Sequence, residues 1–238
     1  MATLYLVPNL LGETPWEQVL PPATVELVSR LSFFIAEDVR NTRRFLKKLN
    51  PAINIDGLTF FELNKHTTAL QRNSYLEPLL EGHDMAVISE AGCPGVADPG
   101  ADLVRAAHRK NIRVVPLSGP SSILLALMAS GMNGQNFAFT GYLPLKQPER
   151  NRRIQLLEKN AEQLGQTQIF METPYRNNTL LADLMKTCQP ATLLCIAADI
   201  TSENEFIATR TIAEWKKNLP NLDKHPAIFL LYRNEGND

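Results

Sequence analysis

The chain has 238 residues, of which 44% are hydrophobic and 21% are charged, and its formal net charge is −1. These values are typical of a globular protein with one large or two modest domains, and they give no overall electrostatic attraction to nucleic acid. The spacing of its three cysteines and four histidines predicts neither a disulfide framework nor a metal site. Because no apolar run reaches about 18 residues and no signal peptide is recognisable, we expect a cytoplasmic protein with no membrane span.

Apolar runs in the first half of the chain alternate with helical patterns. Strands are predicted at residues 3–7, 33–36, 59–63, 85–88 and 114–117. Helices are predicted at residues 24–31, from residue 43 onward, and at residues 74–80, 101–107 and 123–128. A repeated order of strand, loop and helix is typical of the α/β class, in which ligands lie beyond the carboxyl ends of the strands.

The second half continues the α/β pattern. Strands are predicted at residues 137–139, 168–172, 193–197 and 227–232, with a helix at residues 177–186. Residues 144–153 are polar and basic, and we expect them to form a surface connection. The whole pattern predicts two α/β lobes, residues 1–117 and residues 118–238.

Two loops rich in glycine and proline, residues 89–95 and 118–122, each follow a predicted strand directly. Neither matches the GxGxxG or GxxxxGK[ST] pattern that phosphate binding uses. They offer closely approachable backbone, serine hydroxyls and a carboxylate, which suit a polar zwitterion or a nucleoside. A tight βα turn explains one such loop equally well. Two in succession favour a small-molecule site.

Several segments resemble the tetrapyrrole-methylase-like methyltransferases. The segments are residues 4–8, 36–42, 89–94 with 98–100, and 114–121, continued by residues 141–144, 169–173 and the last strand. Each motif alone is weak, but their common order is specific and covers nearly the whole chain. Within this superfamily, the chain is most similar to the ribosomal small-subunit RNA 2′-O-ribose methyltransferases.

The resemblance implies a homodimer of two-lobed subunits of the class III methyltransferase type, with S-adenosylmethionine bound in the cleft between the lobes. It also implies that ribosomal RNA or the small ribosomal subunit is the partner. Matched by motif, the cofactor-binding positions are Pro8, Ser89, Glu90, Ala91, Gly92, Val96, Ser121, Ser122, Met171, Glu172, Ile200 and Ala227.

Methyl transfer to a ribose hydroxyl needs a base or an orienting donor, because the hydroxyl is a poor nucleophile near neutral pH. Glu37, Asp38 and Arg40 cluster at a predicted strand end and are the candidate catalytic residues. A structural ion pair at a strand–helix junction explains the same three residues equally well.

A cluster of cations in the segment from residue 144 to 153 is a candidate contact for RNA phosphates. It consists of Lys146, Arg150, Arg152 and Arg153. The alternative is a solvated loop.

Some positions depart from the family pattern and leave other functions open. Glu90 stands where aspartate is usual and Cys93 where threonine is usual, and residues 197–202 lack two basic residues. The chain also ends at Asp238, where RNA-modifying relatives continue into a helical extension. The alternatives are a methyltransferase for a small, tetrapyrrole-like substrate and a relative that binds the cofactor without catalysis.

Overall fold

The structure is a computed structural model that describes residues 2–64 and 66–233. The chain folds into two compact units, residues 1–121 and 122–238. The boundary predicted from the sequence, after Leu117, falls at the start of the loop that ends the first unit. As a division between functional lobes, that boundary stays a prediction.

The first unit is built on a parallel sheet of five strands. The strands are β1 (Thr3–Val7), β2 (Phe33–Ala36), β3 (Thr59–Glu62), β4 (Met85–Ile88) and β5 (Arg113–Pro116). Their order in the sheet is β3-β2-β4-β1-β5, and every neighbouring pair is parallel. All four residues of β4 are buried, as expected for a central strand that is covered on both faces.

Helices connect the strands of this sheet. They are α1 (Pro22–Val28), α2 (Val39–Leu49), α3 (Ala69–Ser74), α4 (Glu77–Leu80) and α5 (Gly100–Arg109). Side chains of one face, including Phe34 and Ala86, pack with α1 and α2, while their neighbours Ile35 and Met85 pack on the other face with α4 and α5. Both faces are therefore apolar, which explains why the strands read as continuous hydrophobic runs.

Three helix predictions in this unit are wrong in their bounds. The helix predicted at residues 24–31 is α1, which begins at Pro22 and ends at Val28. The basic helix α2 begins at Val39 rather than at residue 43, because the Asp38 side chain caps it by accepting a hydrogen bond from the Asn41 N–H at 2.8 Å. The helix predicted at residues 74–80 is instead the pair α3 and α4. Pro78 lies in the first turn of α4, where proline is tolerated because its missing N–H is not needed.

The second unit is built on a mixed sheet of five strands. The strands are β6 (Phe137–Tyr142), β7 (Thr167–Met171), β8 (Leu193–Ala198), β9 (Phe206–Thr211) and β10 (Ala227–Tyr232). Their order is β6-β7-β10-β8-β9, with β6 and β7 parallel and the other neighbours antiparallel. The helices are α6 (Ser122–Ser130), α7 (Glu149–Leu164), α8 (Asn177–Thr187) and α9 (Ile212–Trp215).

The surface connection predicted at residues 144–153 is only half correct, because α7 begins inside it at Glu149. The start of α7 is polar, and its buried positions Ile154, Leu157 and Ala161 follow at helical spacing. The apolar face of the helix therefore lies beyond the segment on which the prediction was based.

No helix within residues 2–64 and 66–233 is both long enough and apolar enough to cross a membrane.

Candidate cofactor and active site

The loops after β1 and β4 are tied together at the carboxyl edge of the first sheet. The buried Asn9 side chain donates hydrogen bonds from Nδ2 to the Ser89 carbonyl at 2.9 Å and to the Glu90 carbonyl at 3.1 Å. The backbones of Asn9 and Gly92 also exchange two N–H···O bonds, at 2.9 and 3.2 Å. Asn9 therefore fixes the loop in which the cofactor-binding positions 89–92 were predicted.

Asn9 was not among the predicted site residues. Its only sequence signal is its place directly after the first strand and Pro8, because its partners lie about 80 residues away along the chain.

The loop after β4 turns at Gly92, whose φ of +68° lies in the left-handed region that favours glycine. The Ser89 hydroxyl donates to the Gly92 carbonyl at 2.8 Å and closes this turn. A Cβ at Gly92 would lie 3.4 Å from Leu11 Cδ2 and 3.7 Å from the Pro120 carbonyl oxygen. The turn is thus compact on the side of the neighbouring loops.

The loop after β5 packs against the loop after β1 through Gly119. A Cβ on Gly119 would lie 2.5 Å from Pro8 Cβ, so no side chain fits there. The Cys93 thiol donates to the Pro120 carbonyl at 3.6 Å and links this loop to the loop after β4. Burial, reinforced by the charge of Asp98, raises the pKa of Cys93, which keeps the thiol protonated as a donor. The loops after β1, β4 and β5 therefore contact one another and form one continuous surface at the carboxyl edge of the sheet.

A group of carboxylates lies beside these loops. Glu37 directly follows β2 and borders an open cleft of about 570 Å³, together with Asp98 and residues from the ends of neighbouring segments. Burial raises the pKa of Glu37, and the charges of Glu90 and Asp98 raise it further. Asp98 is held in place by hydrogen bonds that its Oδ1 accepts from the Gly95 and Gly100 N–H groups, both at 2.7 Å.

The three candidate catalytic residues have separate positions. Glu37 borders the cleft, whereas Asp38 caps α2 through its Oδ1 atom. Arg40 is exposed in the first turn of α2, and no ion pair joins it to Glu37 or Asp38 in the part of the chain that the structure describes. Of the three, Glu37 has the position and the raised pKa that suit a base. The catalytic role itself stays a prediction.

Val96, Ser121 and Ser122 lie farther along the predicted cofactor-binding loops. Val96 is 47% exposed and precedes Ala97, a residue with positive φ. Ser121 and Ser122 are half-buried, and Ser122 is the first residue of α6. They stay predictions.

In the second unit, the predicted position Glu172 follows β7 and is buried. Its Oε1 accepts hydrogen bonds from the Arg176 guanidinium at 2.6 Å and from the Thr173 N–H at 2.7 Å. Burial opposes ionisation, but these hydrogen bonds outweigh it and lower the pKa of Glu172. Its other oxygen, Oε2, is buried and has no hydrogen-bond partner among the described residues.

The remaining predicted positions of the second unit share one edge of its sheet. Met171 ends β7 and pairs with Ile228, while Ala227 begins β10 opposite Ala198, the last residue of β8. Because these neighbours are antiparallel, the end of β7, the start of β10 and the end of β8 meet, and Ile200 follows two residues later.

A turn at this edge is fixed by a polar pair. Asp199, at φ +50°, places its Oδ2 atom 2.5 Å from His225 Nδ1, and its N–H donates to the Pro226 carbonyl at 2.9 Å. The segments that carry Ile200 and Ala227 are therefore joined at the edge of the sheet where Met171 ends β7.

The basic segment predicted to contact RNA is only partly available to a ligand. Arg150 is buried, and its guanidinium donates from Nε to Asp183 at 2.7 Å and approaches the same carboxylate through Nη2 at 2.5 Å. It also donates to the Leu145 carbonyl at 3.1 Å. The prediction that Arg150 contacts phosphates is therefore wrong, since a buried partner in α8 satisfies it.

Comparison with known proteins agrees with this architecture. Residues 18–216 match the family of tetrapyrrole (corrin/porphyrin) methylases. The crystal structure of the methyltransferase CobJ has the same fold, with a TM-score of 0.63, 17% identity, and coverage of 98% of this chain and 93% of that one.

Sequence relatives extend over most of the chain. Proteins named ribosomal RNA small subunit methyltransferase I are 29% identical in Vibrio cholerae, covering 98% of this chain and 78% of that protein. The Synechocystis relative of that name is 31% identical, covering 92% and 76%. The one from Streptococcus pyogenes is 32% identical, covering 89% and 69%.

The fold and the sequence similarity together define a methyltransferase. The chain belongs to the tetrapyrrole methylase family.

Proposed function

We propose that this protein methylates RNA of the small ribosomal subunit, at a ribose 2′-hydroxyl, with S-adenosylmethionine as the methyl donor. The observation that carries the proposal is the similarity to ribosomal RNA small subunit methyltransferase I over 98% of the chain. It is supported by the open cleft beside Glu37. A substrate that belongs to the small ribosomal subunit also supports a cytoplasmic location.

The first unit fits such a cofactor in its strand-end loops. Gly92 and Gly119 let the strand-end loops pack closely against one another, and the segment from Ser89 to Gly92 lies at the carboxyl end of a buried strand, where ligands of α/β sheets bind. Together with Pro8, these are the residues of the first unit that would hold the cofactor. When bound, S-adenosylmethionine supplies a methyl group on a sulfonium, which is the electrophile of the reaction.

The second unit offers unused hydrogen-bonding capacity at Glu172 Oε2, next to Met171. The family resemblance assigns both residues, with Ile200 and Ala227, to the cofactor. We include these four positions in the proposal on that basis.

Glu37 is the proposed proton acceptor of the reaction. A carboxylate whose pKa is raised by burial and by its acidic neighbours accepts a proton more readily than an ordinary one. Glu37 would take the proton of the ribose hydroxyl as the hydroxyl oxygen bonds to the methyl carbon, and the carbon–sulfur bond would break to leave S-adenosylhomocysteine. The other contribution of the protein is alignment of the hydroxyl with that carbon.

The family resemblance further supports a homodimer, and closed two-fold dimers are the commonest assembly of soluble proteins. Light scattering tests this part of the proposal, because a dimer has twice the chain mass of 26.6 kDa. A monomer at micromolar concentration would reject it.

The test of the proposed function is mass mapping of methylated nucleotides in small-subunit RNA from cells with and without the protein. We expect one nucleotide to lose a methyl group on its ribose when the protein is absent. The purified protein should restore this group on the assembled subunit or on free RNA in the presence of S-adenosylmethionine. If all ribose methylation is unchanged and the protein modifies neither substrate, the RNA substrate is wrong, and a small-molecule acceptor or a non-catalytic role replaces it.

A further inference from the structure

The solvent face of α2 is the most strongly basic surface element of the first unit. Its eleven residues include five cations and no acid, in a chain whose net charge is −1. At about 100° per residue, the five positions span an arc of about 140° on one side of the helix. The cations are Arg40, Arg43, Arg44, Lys47 and Lys48, and all five are exposed.

The opposite side of α2 is apolar and faces the core. Thr42, Phe45, Leu46 and Leu49 are buried there. The helix is therefore anchored by one face, and its cationic face is held outward by packing that does not depend on the charges.

Few interactions within the protein neutralise these cations. Arg43 lies over the Phe60 ring at 5.1 Å, and Lys47 donates to the Pro51 carbonyl at 2.9 Å. The ion pair of Lys48 with Glu13 is weak, because Lys48 Nζ is 3.8 Å from Glu13 Oε2 and the Glu13 side chain is fully exposed. Arg40 and Arg44 make no hydrogen bond or ion pair within residues 2–64 and 66–233. This contrasts with Arg150, which an internal carboxylate satisfies.

A groove joins this face to the proposed cofactor loop. Its volume is about 280 Å³, and one wall consists of Arg44, Phe45 and Lys48 of α2. The other walls come from residues 9–13 and from Glu90 and Ala91 in the loop after β4. An RNA strand bound along α2 would thus pass directly beside the loop that the proposed function assigns to the cofactor.

We propose that the row Arg40, Arg44 and Lys48 on α2 binds the sugar–phosphate backbone of the RNA substrate and leads it along the groove to Glu90. The inference rests on the proposed function, and it adds the surface that recognises the substrate. The row has the i, i+4, i+8 spacing of neighbouring side chains on one helix ridge. At 1.5 Å rise per residue it is about 12 Å long, which matches a few phosphates of one stacked strand.

The proposed RNA path has cations on α2 and carboxylates at the edge of the sheet. Guanidinium and ammonium groups on α2 are donors for phosphate oxygens. Glu90 and Glu37, at the sheet edge, are acceptors when ionised, so they suit ribose hydroxyls and base amino groups and repel phosphates. The backbone is therefore expected on α2 and a single sugar at the sheet edge.

The test compares a double variant, Arg44→Gln with Lys48→Gln, against a matched control, Arg109→Gln with Lys110→Gln. Both variants remove two exposed cations from the first unit, but the control positions lie at the end of α5, just before the amino-terminal start of β5. The probes are purified small-subunit ribosomal RNA for binding across a salt series, and S-adenosylhomocysteine for calorimetry. Thermal melting confirms that each variant is folded.

We expect the α2 variant to bind RNA at least tenfold more weakly than the parent at low salt. Its plot of log affinity against log salt should be shallower by about 1.4, since each lost contact to a single strand removes about 0.7. Affinity for S-adenosylhomocysteine should be unchanged, and the control variant should behave as the parent in both assays.

The inference is overturned if the folded α2 variant binds RNA with the affinity and salt slope of the parent, or if the control loses as much. If the parent methylates RNA and the α2 variant does so with unchanged KM, this surface is wrong while the proposed function stands. If the parent binds RNA through α2 in a salt-dependent manner but methylates neither RNA nor subunits, the surface stands and the proposed function fails. A parent that binds no RNA at low salt rejects the surface as well.

Discussion

The two basic segments of this chain differ in whether the fold exposes or buries their cations. In α2, the buried face consists of uncharged residues, so all five cations are exposed to solvent. In the segment that begins at Lys146, Arg150 turns inward and pairs with Asp183 in α8. The two segments look alike as sequences because the deciding residue, Asp183, lies more than thirty positions away from Arg150. A charge run thus becomes a ligand surface only where the fold leaves its charges without internal partners.

The largest effect expected from this contrast is on stability in the second unit. Asp183→Asn leaves the buried Arg150 guanidinium without its counter-charge, which should lower the free energy of unfolding by about 3 kcal/mol. Urea unfolding measures the change. The matched control is Asp102→Asn, an exposed carboxylate 2.9 Å from Arg105, for which we expect a loss of less than about 1 kcal/mol. Equal small losses in both variants would mean that the buried Arg150–Asp183 pair does not stabilise the second unit.

In the first unit, the expected effect is on catalysis rather than on stability. Glu37→Gln should lower kcat for RNA methylation about 100-fold, since a general base of this kind contributes at least that factor. The parent rate should rise with pH through a pKa above the usual carboxyl range, because the pKa of Glu37 is raised. A variant with Glu62→Gln, a carboxylate at the end of neighbouring β3, should keep the parent rate.

The stability of the Glu37 variant provides an independent check. A raised pKa means that the folded state holds the Glu37 proton more tightly than the unfolded state. The contribution of Glu37 to stability therefore grows as pH falls through that pKa, and at neutral pH its ionised form opposes folding. Glu37→Gln should leave the free energy of unfolding at neutral pH unchanged or slightly higher. A large loss would show that Glu37 is structural.

A backbone contact in the first unit should have the next largest effect. Gly119→Ala places a Cβ 2.5 Å from Pro8 Cβ, and relieving this overlap should lower the free energy of unfolding by about 2 kcal/mol. It should also separate the loops after β1 and β5 and weaken S-adenosylhomocysteine binding in calorimetry. Gly134→Ala, where a Cβ meets no atom within 4 Å, is the control. If both variants bind alike, the close approach at Gly119 is not required for the site.

The smallest effect concerns Glu172 in the second unit. Hydrogen bonds to its carboxylate lower its pKa, so the folded state releases the proton more readily than the unfolded state. The resulting stability is present above the ordinary pKa and is lost as pH falls through the lowered one. Glu172→Gln should therefore cost about 1.5 kcal/mol near pH 7, and the difference from the parent should shrink in acid. A difference that is constant down to pH 2 would contradict this assignment.

Most strands of both units were predictable because they are apolar runs, whereas β9 was missed because its second half, Thr209, Arg210 and Thr211, is polar. The predicted bounds of β1, β2, β4 and β10 are confirmed residue for residue. The family resemblance is confirmed by the match over residues 18–216. Helix starts were less predictable. Asp38 was interpreted as a catalytic candidate and is the cap of α2, and the polar first turn of α7 was interpreted as a loop.

What the sequence could not supply were the long-range partners. Asn9 is a single polar residue after a strand, and nothing near it along the chain indicates that it holds the loop at Ser89. The pairing of Arg150 with Asp183 depends likewise on the packing of α7 against α8, and the left-handed turn at Asp199 beside His225 depends on the pairing of β8 with β10. Periodicity reports which face is apolar, but it does not report which polar groups meet.

The position of β1 in the sheet has a consequence for how the protein is made. Within its sheet this strand comes first along the chain, yet Leu4 pairs with Met85 and Val114. Bringing such distant residues together costs loop-closure entropy before any contact compensates for it, so the first unit is expected to fold slowly for its size. During translation, β1 leaves the ribosome long before the strands that cover it, and the lining formed by Pro8, Asn9 and Gly119 can close only after β5 has emerged.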